Sequence, residues 1–246
     1  MSKQIIRLGV VALSSAAVLG AGALSAGATT PSTTTSQTLS GVQAKAAAAI
    51  TARVDALNAA VAKVNGDKSL GSDQGSLDTY LGRDIAPLQA LGTKIAADTT
   101  LAQAEADAAG IYTDYRVFAL VLPAGGQAGD ADRITVTAIP AFTAFSAKAQ
   151  AHVTATNQAT LAPMIASLNT DISGATNATS GLASTVMGYV PSQWNANNGL
   201  LGPTKSRLAT ANGDVQSART EVQAIRQYFK SSHPAVVAPT TPTTGA

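Results

Sequence analysis

The stretch LAPMIASLNTDISGATNATSGLASTVMGY, from Leu161 to Tyr189, decides the fold class. Its core-type residues recur at alternating steps of four and three, at Leu161, Ile165, Leu168, Ile172, Ala175, Thr179, Leu182, Val186 and Tyr189. A pattern that averages 3.5 residues places these side chains on one face of an α-helix, and it is typical of helices that pack side by side. No segment alternates apolar and polar residues for long enough to predict a strand.

The same spacing occurs in three other segments, which contain Ile50 to Val64, Leu101 to Leu122 and Leu208 to Phe229. We therefore predict an all-α fold, an elongated antiparallel bundle with coiled-coil-like packing. Its six helices are expected over residues 38–65, 73–97, 99–122, 131–155, 160–190 and 204–230. Two internal prolines, Pro87 and Pro140, should kink or shorten their helices.

Turn-forming residues mark the expected breaks between these helices. Pro123–Gly129 is predicted to be a loop, and Pro191–Pro203 a long irregular segment. Thr100 and Gln103 have the spacing of a capping box, and Asp130 or Asp132 is expected to cap the helix that follows the loop. In the fifth helix Gly174, Gly181 and Gly188 recur every seven residues, which suggests that another backbone passes close by.

The N-terminus has the three parts of a secretory signal peptide. Lys3 and Arg7 form a basic start, residues 8–20 are apolar, and residues 26–28 fit the small-x-small rule for cleavage. The apolar part is shorter than the ~20 residues that a membrane-spanning helix needs. We therefore predict a signal peptide over residues 1–28, a polar spacer over residues 29–37, a helical bundle over residues 38–230 and a Pro/Thr-rich disordered tail over residues 231–246.

The charge balance argues against two classes of partner. Without Lys3 and Arg7 the chain has fourteen basic and fourteen acidic residues, so its formal net charge is zero. Such a chain, without clusters of Lys or Arg, lacks the charge pattern of proteins that bind nucleic acid or anionic membranes. We expect no nucleic-acid partner and no transmembrane span in the mature chain, and the oligomeric state stays open.

Few residues are available for catalysis or metal binding. There is no Cys, the histidines are His152 and His233, and the glutamates are Glu105 and Glu221. A catalytic triad, a multi-histidine metal site or a di-iron bundle cannot be assembled from this set. Calcium could be bound by Asp130 and Asp132, or by NGDKSLGSD at residues 65–73, but neither has EF-hand spacing, and we favour helix capping for these residues. We predict no catalytic residue, no cofactor and no metal site.

The segment IYTDYRVFALVLPAGG, from Ile111 to Gly126, has a different composition from its surroundings. From Val117 onward the expected helix is apolar on every side, and such a helix end is buried or meets a partner or lipid. We favour a buried helix end, covered by the fourth helix with Phe142 and Phe145. The first alternative is an exposed interaction patch, formed by Val117, Phe118, Leu120 and Val121. The second is a membrane-entering tongue over residues 117–129.

Three short motifs carry a resemblance. DYRVFALVLP and ADRI, preceded by KIAADTTLA, resemble a group of uncharacterised secreted Ala/Thr-rich helical proteins of actinobacteria. The resemblance spans roughly residues 75–190, and it implies a helical fold and an extracellular address but no catalytic or binding residues. The loop over residues 125–129 is richer in glycine than that group usually shows.

These observations predict an exported, non-enzymatic structural or interaction protein. It is expected to be secreted, in the extracellular space or associated with the cell wall, with an unknown protein or cell-envelope component as its partner. One alternative is a membrane-active helical protein that uses residues 117–129. Another is a helical bundle that carries an apolar ligand.

Overall fold

The computed structural model describes residues 37–71 and 73–232. The predicted signal peptide, nearly all of the predicted spacer, and residues 233–246 of the predicted tail lie outside the described residues. Within them the fold is all-α, without strands, as the heptad spacing predicts. No helix in this part of the chain is both long and apolar enough to cross a membrane.

The described residues form ten α-helices and two five-residue π-helical turns, in the following order. They are α1 (Leu39–Gly66), α2 (Gln74–Gly82), α3 (Ile85–Ala97), α4 (Leu101–Thr113), a π turn (Val117–Val121), α5 (Leu122–Arg133), a π turn (Ile134–Ala138), α6 (Ile139–Gln150), α7 (Gln158–Thr179), α8 (Leu182–Met187), α9 (Pro191–Ala196) and α10 (Gly202–Ser232). Each of the six predicted helices has a counterpart, although several are divided or shifted.

The seam between α7 and α10 follows the predicted heptads. On α7 the spacing residues Leu161, Ile165, Leu168, Ala175 and Thr179 are buried, and Ile172 is partly buried. On α10 Leu208, Ala211, Val215, Ala218, Val222 and Ile225 are buried as well. Leu182 and Val186 are also buried, but they belong to α8, which packs on α5. α7 and α10 make the most extensive helix-to-helix contact in the described residues. Because the apolar face of each covers the other, burial of this face is what stabilises the pair.

Most of the other helices pack on α1 or α5, whereas α6 packs on α7 and α9 contacts α4. α1 contacts α2, α3 and α4, while α5 contacts α8, α2 and α10. All buried apolar side chains belong to one continuous core. α5 therefore connects the part of the core around α1 with the part around α7 and α10.

Prolines accompany two of the irregularities in the helices. The predicted second helix is interrupted at Arg83 and Asp84, so Pro87 lies in the first turn of α3, where a missing N–H is tolerated. Pro140 follows a π-helical turn in which the Ile139 N–H bonds to the Ile134 carbonyl. Such a wide turn removes the crowding that a proline ring causes in a regular α-helix. The predicted second helix is thus shortened, as expected for Pro87, whereas at Pro140 the helical path continues through the π turn.

The predicted loop over Pro123–Gly129 is wrong, because these residues lie within α5. Gly125 and Gly129 face α2, and Gly125 lies so close to Leu81 that a Cβ would be 2.7 Å from that side chain. This close packing favours a helix where local propensity does not. Asp130 and Asp132 therefore lie inside the helix and do not cap it. The predicted irregular segment after Val190 likewise contains the short helix α9.

The glycines of the fifth helix have different roles. A Cβ on Gly174 would lie 2.5 Å from Asp214 Oδ2 on α10, so this position is a close approach, although to a side chain. Gly181 has a φ of 63° and separates α7 from α8 in the left-handed conformation that favours glycine. Gly188 follows the end of α8. Only Gly174 therefore marks a tight contact with another helix.

A predicted threonine cap is present, whereas aspartate side chains do not cap the helices that they precede. The Thr100 hydroxyl accepts a hydrogen bond from the Gln103 N–H at 3.3 Å, as the capping-box spacing predicts. Asp73 and Asp84 precede α2 and α3, but neither side chain caps its helix. Capping by aspartate is thus not how these two residues are used.

Candidate interaction surface around Arg53

The helical path breaks at residues 114–116. Arg116 has φ 45° and ψ 36°, in the left-handed region that is uncommon for a residue with a Cβ. Asn195 of α9 holds this break at two points. Its Nδ2 donates to the Thr113 carbonyl at 2.9 Å, and its Oδ1 accepts from Arg116 Nε at 2.6 Å. α9 therefore fixes the angle at which the chain enters the π turn at Val117.

This break changes which side chains of the apolar run face the core. The Val117–Val121 π turn precedes Pro123 and widens the helix at that point. Val117, Leu120 and Val121 are completely buried, whereas Phe118 is 51% exposed. The heptad pattern predicts Phe118 in the core, in phase with Ile111. That prediction is wrong, because the break and the π turn rotate the chain out of the phase of α4.

Only one residue of the predicted interaction patch lies at the surface. Val117, Leu120 and Val121 are core residues, so the interpretation as a buried helix is correct for these three. Their cover, however, is not a separate fourth helix with Phe142 and Phe145. Residues 117–150 form one continuous helical stretch, and α1 packs against its start. In the segment 117–129 proposed as a membrane tongue, Ala124, Gly125, Ala128 and Gly129 are also buried.

The exposed Phe118 ring belongs to a stack of three side chains from three helical elements. Arg53 of α1 places its guanidinium carbon 4.6 Å from the centroid of the Tyr112 ring on α4 and 5.2 Å from that of the Phe118 ring. Tyr112 is 51% exposed, as Phe118 is, whereas Arg53 is only 9% exposed. A cation close to the face of an aromatic ring is attracted to it. We refer to Arg53, Tyr112 and Phe118 together as the Arg53 surface.

The Arg53 guanidinium has few hydrogen-bond partners. Its Nη1 donates to the Ala49 carbonyl at 2.9 Å, and its buried Nε has no acceptor. Burial lowers the pKa of Arg53, and the Tyr112 phenol acts in the opposite direction. Even a lowered arginine pKa leaves the group charged at neutral pH. The surface therefore holds a charged, mostly buried arginine in contact with two half-exposed rings.

A groove between α1 and α4 leads to this surface. It has a volume of about 370 Å³, and Tyr112, which contacts Arg53, forms one of its walls. The groove is lined by Gln37, Val42, Lys45, Ala46, Glu105, Ala108, Ala109, Ile111 and Tyr112. Its alanines leave room for a bound group, and Lys45 and Glu105 place one charge of each sign beside it.

Sequence analysis missed Arg53 and Tyr112. Arg53 lies seven residues after Ala46 and four before Leu57, both buried, so it occupies a position of the apolar stripe of α1. A charged residue at such a position is the one signal that could have singled it out. Tyr112 lies directly after the core residue Ile111 and carries no comparable signal.

A second polar cluster joins the α1–α2 connection to α5. Arg133 forms ion pairs with Asp67 and Asp130, and Asp132 accepts a hydrogen bond from the Gly71 N–H at 2.7 Å. The pKa of Asp67 is lowered by the Ser69 hydroxyl and by Arg133, whereas burial raises the pKa of Asp130 and of Asp132. These contacts tie two segments that are distant in sequence, and they use the carboxylates that calcium would need.

The remaining candidates for chemistry are dispersed. Among the described residues, no group of three or more His, Cys, Asp or Glu side chains is placed to hold a metal ion. His152 is exposed beyond the end of α6. Its ring packs edge to face with the Phe229 ring, with 5.6 Å between the ring centroids. His233, the other histidine, lies outside the described residues.

Comparison with protein-family models, with curated proteins and with solved structures gives no match for this chain.

Proposed function

We propose that this chain is an exported, non-enzymatic interaction protein of the cell envelope or the extracellular space, which contacts its partner through the Arg53 surface. The observation that carries the proposal is the position of its exposed aromatic residues. The large apolar side chains exposed in the described residues are Tyr112, Phe118 and Val190, and the first two contact the same arginine.

The composition of the Arg53 surface supports this proposal. Aromatic residues and arginine are enriched at protein interfaces, and the residues that dominate binding free energy are most often Trp, Tyr and Arg. Here the rings already hold the guanidinium in one place. Binding of a partner would therefore cost less side-chain entropy than it would with a mobile arginine.

The export and the lack of catalysis rest on the sequence. The basic start with Lys3 and Arg7, the apolar residues 8–20 and the small residues 26–28 support secretion. The absence of Cys and the isolation of His152 support a role in binding and not in catalysis.

A pair of matched variants tests the proposal. The wild type, Phe118→Ser and Val190→Ser are immobilised and exposed to solubilised envelope and medium from the producing cells. Phe118→Ser removes an exposed ring of the Arg53 surface, and Val190→Ser removes an exposed apolar side chain elsewhere. We expect Phe118→Ser to lose at least about tenfold of the retained partner, because a central interface residue contributes more than ~1.4 kcal/mol. Val190→Ser should retain it.

Thermal melts of the three proteins control for folding. Equal retention by the wild type and Phe118→Ser, at equal stability, would show that the Arg53 surface is not the contact site.

A further inference from the structure

The positive charge of Arg53 has no counter-charge within the described chain. Among the described residues only Arg83, Lys94 and Arg133 form ion pairs, and of the cations without one, Arg53 alone is buried. Its hydrogen bond goes to a neutral carbonyl, and its Nε has no acceptor. A desolvated charge without a partner is unfavourable, so this position gains most from an added anion.

The chain cannot supply this anion from an acidic side chain elsewhere. All fourteen Asp and Glu residues lie between Asp55 and Glu221. Every acidic side chain of this sequence is therefore within the described residues. None of those side chains forms an ion pair with Arg53 there. The counter-charge is most readily supplied by another molecule.

The geometry around Arg53 suits a carboxylate on a folded or extended protein segment. Guanidinium N–H groups are preferred donors to a carboxylate. In Arg53, Nη1 already donates to Ala49 and Nε is buried, so Nη2 is the donor left for an external carboxylate. The groove that ends at Tyr112 gives room for small apolar side chains next to the acidic one.

We infer that the Arg53 surface binds an aspartate or glutamate side chain of a partner protein, with neighbouring apolar residues of that partner in the groove between α1 and α4. This inference rests on the proposed function and specifies the chemistry of its partner.

An anionic lipid surface fits these residues less well. Attraction to such a surface needs several Lys or Arg side chains together, each contributing about 1 kcal/mol. The Arg53 surface has one cation, and the groove next to it has Lys45 opposed by Glu105. We therefore argue for a protein carboxylate and treat lipid as an outcome of the test.

The test uses two peptides that differ only in charge, acetyl-LAELA-amide and acetyl-LAQLA-amide, titrated into the isotopically labelled secreted chain. We expect the acidic peptide to shift the NMR signals of Arg53, Tyr112 and Phe118. The neutral peptide should bind about tenfold more weakly, because a hydrogen bond to a charged group is stronger than one between neutral groups. Raising the salt concentration should weaken binding of the acidic peptide but not of the neutral one.

Variants assign the effect to Arg53. Arg53→Met keeps an apolar stem and should abolish the difference between the peptides, whereas Arg53→Lys should restore part of it through its charge. If Arg53→Met does not fold, the acidic and neutral peptides are compared on Phe118→Ala, which changes an exposed residue of the surface. It should weaken binding of the acidic peptide at least about threefold, because it removes one wall of the stack.

The outcomes separate this inference from the proposed function. Equal binding of both peptides at the Arg53 surface would overturn the carboxylate inference and leave an apolar interaction site. Shifts elsewhere, or no shifts with either peptide, would also overturn it, while the capture experiment with Phe118→Ser still decides the proposed function. Binding to phosphatidylglycerol vesicles, but not to phosphatidylcholine vesicles, that is lost in Arg53→Met would identify lipid as the anion source and refute the protein carboxylate.

Discussion

Two adjacent glycines of α5 provide a direct test of the packing between α5 and α2. Gly125 is buried, and a Cβ built there would lie 2.7 Å from Leu81 Cδ2 and 3.4 Å from Leu81 Cγ. Gly126 is exposed, and a Cβ there would meet nothing within 4 Å. Replacement by alanine raises helix propensity equally at both positions, by about 1 kcal/mol. The difference between the two variants therefore isolates the contact with Leu81.

The expected magnitudes follow from this contact. Gly126→Ala should be more stable than the wild type by up to about 1 kcal/mol. Gly125→Ala should be about 1–3 kcal/mol less stable than Gly126→Ala, because a methyl group is forced into a packed site and Leu81 is only 3% exposed. For a domain of this size that difference corresponds to roughly 2–12 °C in the midpoint of thermal unfolding.

The assay is thermal and urea unfolding of Gly125→Ala and Gly126→Ala, each made in the wild type and in the Leu81→Ala background. In that background Gly125→Ala should cost less than in the wild type, because the missing side chain leaves room for the methyl group. Equal stabilities of Gly125→Ala and Gly126→Ala, in both backgrounds, would refute the close packing of α5 on α2. A loop at residues 123–129 would give that result.

Three further predictions concern the core, the pH dependence and the address. Leu120→Ala should lower the free energy of unfolding by about 2–5 kcal/mol in urea melts, because Leu120 is fully buried. Phe118→Ala should lower it by about 1 kcal/mol. The reverse order would show that Phe118 lies in the core, as the heptad pattern predicts. Burial raises the pKa of Asp84, although the nearby Arg83 lowers it, so ionisation of Asp84 destabilises the fold as the pH rises above about 4. Asp84→Asn should therefore be more stable than the wild type at pH 7 but not at pH 3. An equal difference in stability at both pH values would contradict this. N-terminal sequencing of protein from the medium or cell wall should find a start at or near Thr29, and a pool with mostly intact Met1 would exclude processing at that site.

Heptad spacing predicted the fold best where a helix continues without a break. Along α10 the predicted positions from Leu208 to Ile225 are all buried, and the exposed Ser217 lies off the pattern. Two such helices cover each other, so local periodicity and tertiary packing give the same answer. The sequence was sufficient to predict this seam, because nothing interrupts the phase of either helix over the contact.

The same reasoning failed at residues 114–121 for a physical reason. A heptad count assumes a constant turn per residue, whereas a left-handed residue at Arg116 and a π turn each change it. The contacts that stabilise this break come from Asn195, far away in sequence. No local pattern could have indicated these contacts. The heptad pattern was therefore extended past the break, and it predicted the wrong residues of the apolar run to face the core.

The same break is also what creates the candidate site. Had the phase of α4 continued, Phe118 would be in the core and could not flank Arg53. Because the break turns Phe118 outward, its ring and the Tyr112 ring both contact an arginine from α1. The largest departure from the sequence-based prediction and the exposed aromatic pair thus have one cause. A variant that releases the break, Asn195→Ala, should therefore weaken binding at the Arg53 surface without removing any residue of that surface. If the chemical shifts of Tyr112 and Phe118 and the affinity for the acidic peptide stay unchanged in Asn195→Ala, the break does not position the surface.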